Sequence, residues 1–158
     1  MSFSGNPTAL IEHPITNDGF WPDLELSEFQ KGYRLPAEYL VEMLVEGLVM
    51  AMGEINLDLA RRQQQFHAAG ISVLACADPQ LLIQHKFPDR LFLVTCYKRA
   101  VYCRAKAFLL SQFATVNRRD SAQNLAKEAP ETASAFLTFS QQAVRLIQGR
   151  SRITSELI

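Results

Sequence analysis

The sequence predicts an all-α fold, a helical bundle of three to four main helices with extended N- and C-terminal tails. Two observations carry this expectation. Apolar residues recur every three or four positions over residues 36–69, 88–116 and 131–148, the spacing that lines one face of a helix. Proline or glycine stands where such helices should begin or stop: Pro36, Gly70, Pro88 and Gly149. At 158 residues the chain reads as one domain, divided into a flexible arm over 1–18, a helical domain over 19–149 and an extended tail over 150–158.

The arm is punctuated by Gly5, Pro7, Pro14, Asn17, Asp18 and Gly19, residues that favour turns. Phe20 and Trp21 follow, before Pro22-Asp23. Such a pair either covers the domain's own core, the commoner role of large aromatics, or forms a docking anchor that enters a partner's groove. Ser27 is placed to cap a short helix ending at Gly32. In the first long helix, Leu40, Leu44, Leu48, Met52, Ile55 and Leu59 form a stripe, and Val41, Val45 and Val49 widen it to about half the circumference. A surface helix needs only ~100°, so this one should touch more than one element. Unbroken, about 33 residues would extend ~50 Å, against a radius of gyration of ~15 Å for a compact domain of this size. Gly47 or Gly53 is therefore expected to interrupt it, unless the subunit is elongated. Asp58 and Arg62 are spaced for an i,i+4 ion pair.

Pro79 is expected to open a short helix over 80–86. The second long helix, from Pro88 to about Val116, is apolar on several faces yet carries Lys98, Arg99, Arg104 and Lys106 near its middle. It reads as a central helix whose cations reach an edge or meet the acidic first helix. A short helix over 121–129 and a Pro130 start or kink precede the third helix, which Gly149 ends. The tail alternates Ile153, Ser155 and Leu157 with Thr154 and Glu156, a pattern suited to strand addition onto another protein.

The charges balance to zero but are sorted. Residues 1–60 hold ten acidic and two basic residues, a balance of −8, and residues 61–119 hold ten basic and two acidic, a balance of +8. Such regions attract each other within a subunit or between copies. Glu42 and Glu46 on the first helix, with Arg99 and Lys106 on the second, are the candidate subunit-interface residues. Overall neutrality argues against a dedicated nucleic-acid binder, although Lys98, Arg99, Arg104, Lys106, Arg118 and Arg119 with Tyr97 and Tyr102 form a candidate phosphate-and-base surface.

Evidence for catalysis is thin. Glu38, Glu42 and Glu46 share one helix flank, as in a helical Mg²⁺-dependent nucleotide hydrolase. That enzyme is the alternative function, but the second helix offers no facing carboxylates between Asp89 and Asp120, and a solvated acidic face explains the three glutamates. His13, His67 and His85 lack metal-ligand spacing, and no phosphate-binding loop or nucleophile elbow occurs. Neither a catalytic residue, a metal nor a cofactor is expected. Cys96 and Cys103, ~10 Å apart on a helix, are too far apart for a disulfide and read as small core residues. The odd count of three cysteines suggests a reducing, cytosolic site of synthesis. The first residues lack a signal stretch, and no run approaches the ~20 apolar residues of a membrane span, so no membrane partner is expected.

Several segments in order resemble the head completion/stabilisation (GPL) family of tailed temperate phages. They are Phe20-Trp21-Pro22-Asp23, Arg34-Leu35, Glu54-Ile55-Asn56-Leu57-Asp58-Leu59, the run from Tyr97 to Ala105, and Ile147-Gln148-Gly149-Arg150 through Glu156-Leu157-Ile158. The resemblance spans roughly residues 15–158. It departs at Pro36-Ala37-Glu38 and at Pro130. It implies a connector-adaptor-like helical fold and a structural virion protein, not an enzyme. Such a protein, made in the host bacterial cytoplasm, binds the portal protein at the head–tail neck after DNA packaging. It forms a ring with copies of itself, dodecameric to match the portal, around packaged DNA contacted non-specifically, and serves as adaptor for the neck/tail completion protein. On this reading Arg150, Arg152, Ile153, Leu157 and Ile158 of the tail engage the portal.

Overall fold

The structure is a computed structural model that describes residues 9–35, 39–77, 91–116 and 132–150. The expected helices over 80–86 and 121–129, the positions Pro36, Pro88 and Pro130, and the tail from residue 151 onward lie outside the described residues.

The periodicity is realised as helices. In chain order they are α1 (Leu26–Tyr33), α2 (Val41–Asp58), α3 (Ala60–Ala68), α4 (Phe92–Val116) and α5 (Ala133–Ile147). A 3₁₀ turn, Leu74–Cys76, follows α3. Before α1 comes a small antiparallel pair, β1 (Pro14–Ile15) with β2 (Leu24–Glu25), in which Pro14 faces Glu25 and Ile15 faces Leu24.

That pair corrects the expectation of a loose arm. Ile11 N donates to Gln30 Oε1 at 2.9 Å, His13 N to Glu25 Oε1 at 2.6 Å, and Leu26 N to His13 O at 3.1 Å. Ile15 is buried beside Leu24. These bonds tie residues 11–13 to Glu25 and to Leu26 and Gln30 of α1, long-range contacts that helical periodicity could not reveal. Helix α1 includes Gly32 and stops at Arg34 in the left-handed conformation (φ 46°). Its cap position is Glu25, not Ser27, and no side chain caps it.

The first long helix is interrupted, but not at a glycine. Both Gly47 and Gly53 lie inside α2, and the bend falls at Leu59, where φ is −102° and ψ is 2°. Leu59 at the bend and Phe66 two turns beyond it are both fully buried. Gly53 is exposed, and nothing lies within 4 Å of where a Cβ would stand. Gly53→Ala therefore raises stability by about 1 kcal/mol, the helix-propensity difference, read as a higher midpoint in urea with an unchanged slope.

Helix α4 is central. It packs against α5 and α2 and touches α1 and the 3₁₀ turn. Leu93, Tyr97, Ala100, Val101, Ala105 and Leu109 are all inaccessible to solvent. Burial on several faces explains why α4 shows no single apolar stripe. From α2 come Leu44, Leu48, Ala51 and Ile55, and from α5 Ala143, Val144 and Ile147. Buried Ser140 on α5 donates to the Ala100 carbonyl at 2.8 Å, which satisfies its hydroxyl in the contact. Thr132 caps α5 by accepting from Ala135 N. Gly149 (φ 74°) ends it, with Arg150 N reaching back to Arg145 O at 2.8 Å, a Schellman geometry that glycine adopts at no steric cost.

Candidate functional site

The aromatic pair settles where the arm docks. Phe20 and Trp21 are 3% and 2% exposed. Trp21 stacks on Tyr97 with centroids 4.9 Å apart and planes 7° from parallel, and meets Phe20 edge-on at 4.8 Å. Phe20 also lies 5.8 Å from Phe66. The turn that aims them is held by Asp18, whose Oδ1 accepts from Phe20 N and Trp21 N. The pair is therefore core to its own subunit, which corrects the docking-anchor assignment. Beside it a closed polar triangle joins arm, α2 and α4. Asn17 Nδ2 donates to Tyr97 Oη (2.8 Å), Tyr97 Oη to Asn56 Oδ1 (2.6 Å), and Asn56 Nδ2 to Asn17 Oδ1 (2.9 Å). Burial holds the Tyr97 phenol above its ordinary pKa. Tyr97 is thus a core residue and unavailable for stacking on a base. So is Tyr102, 4% exposed and stacked on Phe29 at 5.4 Å.

The sorted charges are spent in part inside the subunit. Lys98 Nζ reaches Glu28 at 2.9 Å, and Tyr102 Oη donates to the same carboxylate at 2.9 Å. Partial burial opposes ionisation of Glu28, but the Lys98 and Tyr102 hydrogen bonds outweigh it and lower the carboxyl pKa. Arg104 spans two turns of α2, with Nη2 2.9 Å from Asp58 and Nη1 3.4 Å from Glu54. Asp58 therefore pairs with α4 and not with Arg62. Arg62 instead donates through Nε to the Ile147 carbonyl (2.9 Å) and through Nη1 to Gln65 (2.8 Å). Spacing along one helix could not reveal this, because Asp58 is taken by Arg104 from α4 and Arg62 by the Ile147 carbonyl at the end of α5.

The four candidate interface residues are divided. Lys106 is 3% exposed, donates to the Tyr33 carbonyl and lies 4.7 Å from the centre of the Phe136 ring. Burial removes it from any surface contact, a correction to its interface role. Arg99 is exposed, over Phe139 at 5.4 Å. Glu42 and Glu46 are exposed and make no ion pair among the described residues. They rim a groove of about 500 Å³ along the outer side of α2, floored by Val41, Val45, Val49 and Met50 and closed at one side by His13. The over-wide apolar arc on this helix thus has a place: its core half faces α4, and its valine edge lines the groove.

A second recess, of about 210 Å³, lies where α2, α3 and α5 meet. Asp58, Arg61, Arg62, Gln65, Gln148 and Arg150 line it. Arg150 is the portion of the proposed portal-binding set within the described residues; Arg152, Ile153, Leu157 and Ile158 lie outside them. Sequence reasoning passed over Arg61 because nothing in its spacing distinguishes it from an ordinary solvated arginine.

Among the described residues no three His, Cys, Asp or Glu side chains are grouped to hold a metal ion, and Glu38 of the hydrolase reading lies outside them. Cys96 and Cys103 are buried. Burial pushes the Cys96 thiol up to about 11 and raises Cys103 as well, which suits core packing and not a thiolate nucleophile. No helix among the described residues is long and apolar enough to cross a membrane.

The profile of the phage head completion protein (GPL) family matches residues 15–158. The chain belongs to that family. It is also 32% identical over 150 residues, 95% of both chains, to the "Probable head completion/stabilization protein" of Haemophilus phage HP1 (strain HP1c1). No solved structure matches. The match runs from the end of the arm through the bundle and the tail, so the α2 side of the groove and the recess at α5 lie within it, and His13 lies just before it.

Proposed function

We propose that this protein completes and stabilises the phage head as a structural component. It binds the portal vertex after packaging, surrounds the DNA exit as a ring of identical copies and presents an adaptor surface to the neck or tail completion protein. The observation that carries the reading is the family match across nearly the whole chain. The surface supports the ring. Among the described residues Glu42 and Glu46 make no ion pair on one flank, while Arg61 and Arg150 line a separate recess, and oppositely charged patches on one chain suit head-to-tail contact. Arg150, Arg152, Ile153, Leu157 and Ile158 engage the portal on this reading. Arg150 gives them a defined point of departure at the end of α5.

The test mixes the protein with rings of its own portal and images the product by electron microscopy. A layer of added density with the portal's symmetry is expected. Deleting residues 150–158 leaves helicity intact and abolishes co-sedimentation with portal rings. Retained co-sedimentation removes the tail from the portal contact.

A further inference from the structure

The α2 groove has apolar walls and an acidic rim, and no element among the described residues covers it. We propose that it receives the Leu57–Arg61 corner of a second copy of this chain. The proposal rests on the ring reading and names its contact. Leu57 is the most exposed large apolar residue among those described, at 78%. Arg61, one turn later and across the bend, is exposed and makes no ion pair among the described residues. An apolar knob flanked by a cation thus meets an apolar groove, floored by Val45, Val49 and Met50, that is flanked by Glu42 and Glu46.

Geometry and charge both set the direction. Leu57 stands ~18 Å from Val45 along the axis of α2. Met50, at the near end of the groove, is only ~10 Å from Leu57 on nearly the same side of α2. A knob that enters one neighbour's groove while its own groove takes another neighbour's knob makes a heterologous contact that propagates until it closes, whereas an antiparallel pair of α2 helices would stop at a cross-linked dimer and overturn the ring contact. A two-fold contact of groove on groove would instead set four carboxylates against one another, a like-charge arrangement that interfaces avoid. Arg99 is a weaker partner for the glutamates, because its guanidinium already lies over Phe139.

The experiment uses the full chain with Cys76→Ser, which removes the exposed native thiol and leaves the two buried ones. Met50→Cys and Leu57→Cys are added singly and together, and the proteins are oxidised while bound to portal rings. The double variant is expected to give a ladder of covalent oligomers, and a mixture of the two single variants a dimer, each at least tenfold above either single variant alone. Glu46→Lys should abolish the ladder, and Glu46→Lys with Arg61→Glu should restore it. Rings that form on the portal without cross-linking overturn this contact and leave the ring reading standing. Failure to form rings with the unmodified chain overturns both. A ladder that Glu46→Lys leaves unchanged overturns the charge pairing.

Discussion

Trp21→Ala lowers the unfolding free energy of the isolated chain by about 3–5 kcal/mol, the range for removing a buried aromatic. A domain of this kind is stable by only about 5–15 kcal/mol, so the loss is a large share of the total. The side chain sits between Tyr97 and Phe20 at 2% exposure, and its removal opens a cavity where the arm meets α4. Trp21→Phe costs much less. It keeps a ring against Tyr97, and the buried indole N–H has no partner among the described residues to lose. Denaturant unfolding followed by far-UV circular dichroism checks both, as the chain has one tryptophan and the variants lose it. An anchor waiting for a partner would behave otherwise: its removal would leave the free chain within about 0.5 kcal/mol of the parent.

Lys106→Glu destabilises by about 3–5 kcal/mol, as expected when a buried charge is left without compensation. The new carboxylate would face the Tyr33 carbonyl and the electron-rich face of Phe136, where the lysine now places its ammonium. Lys106→Met keeps the volume and loses only the polar contacts, at about 1–3 kcal/mol. Arg99→Glu, at an exposed position seven residues earlier on the same helix, stays within about 0.5 kcal/mol. Thermal unfolding of the three variants side by side separates a cation that holds α1 and α5 to α4 from one that sits on the surface.

The two cations show what spacing leaves undecided. Lys106 and Arg99 are both charged residues in an apolar run, and seven residues on a helix return to nearly the same side. Both meet a phenylalanine of α5, but Lys106 is also covered at the end of α1, where it donates to the Tyr33 carbonyl, while Arg99 stays open to solvent. The same holds for the break in the first long helix. A compact subunit required one, and the glycines were the local candidates, yet the bend falls at a leucine whose side chain is fully buried in the core. Helix ends with local chemistry were legible. Gly149 closes α5 where its left-handed φ is needed, and α4 runs to Val116 as its apolar spacing indicates.

By itself the sequence determined the helical class, the central apolar helix, the core role of Cys96 and Cys103, and the separation of acid from base along the chain, because all of these depend on residue type and short-range spacing. Tertiary structure alone decided that Phe20 and Trp21 turn inward, that Asp58 meets Arg104 instead of Arg62, and that Glu42 and Glu46 are left along an open groove. Those outcomes depend on which side chains from distant segments reach the same place and shut out water, and no local pattern encodes that.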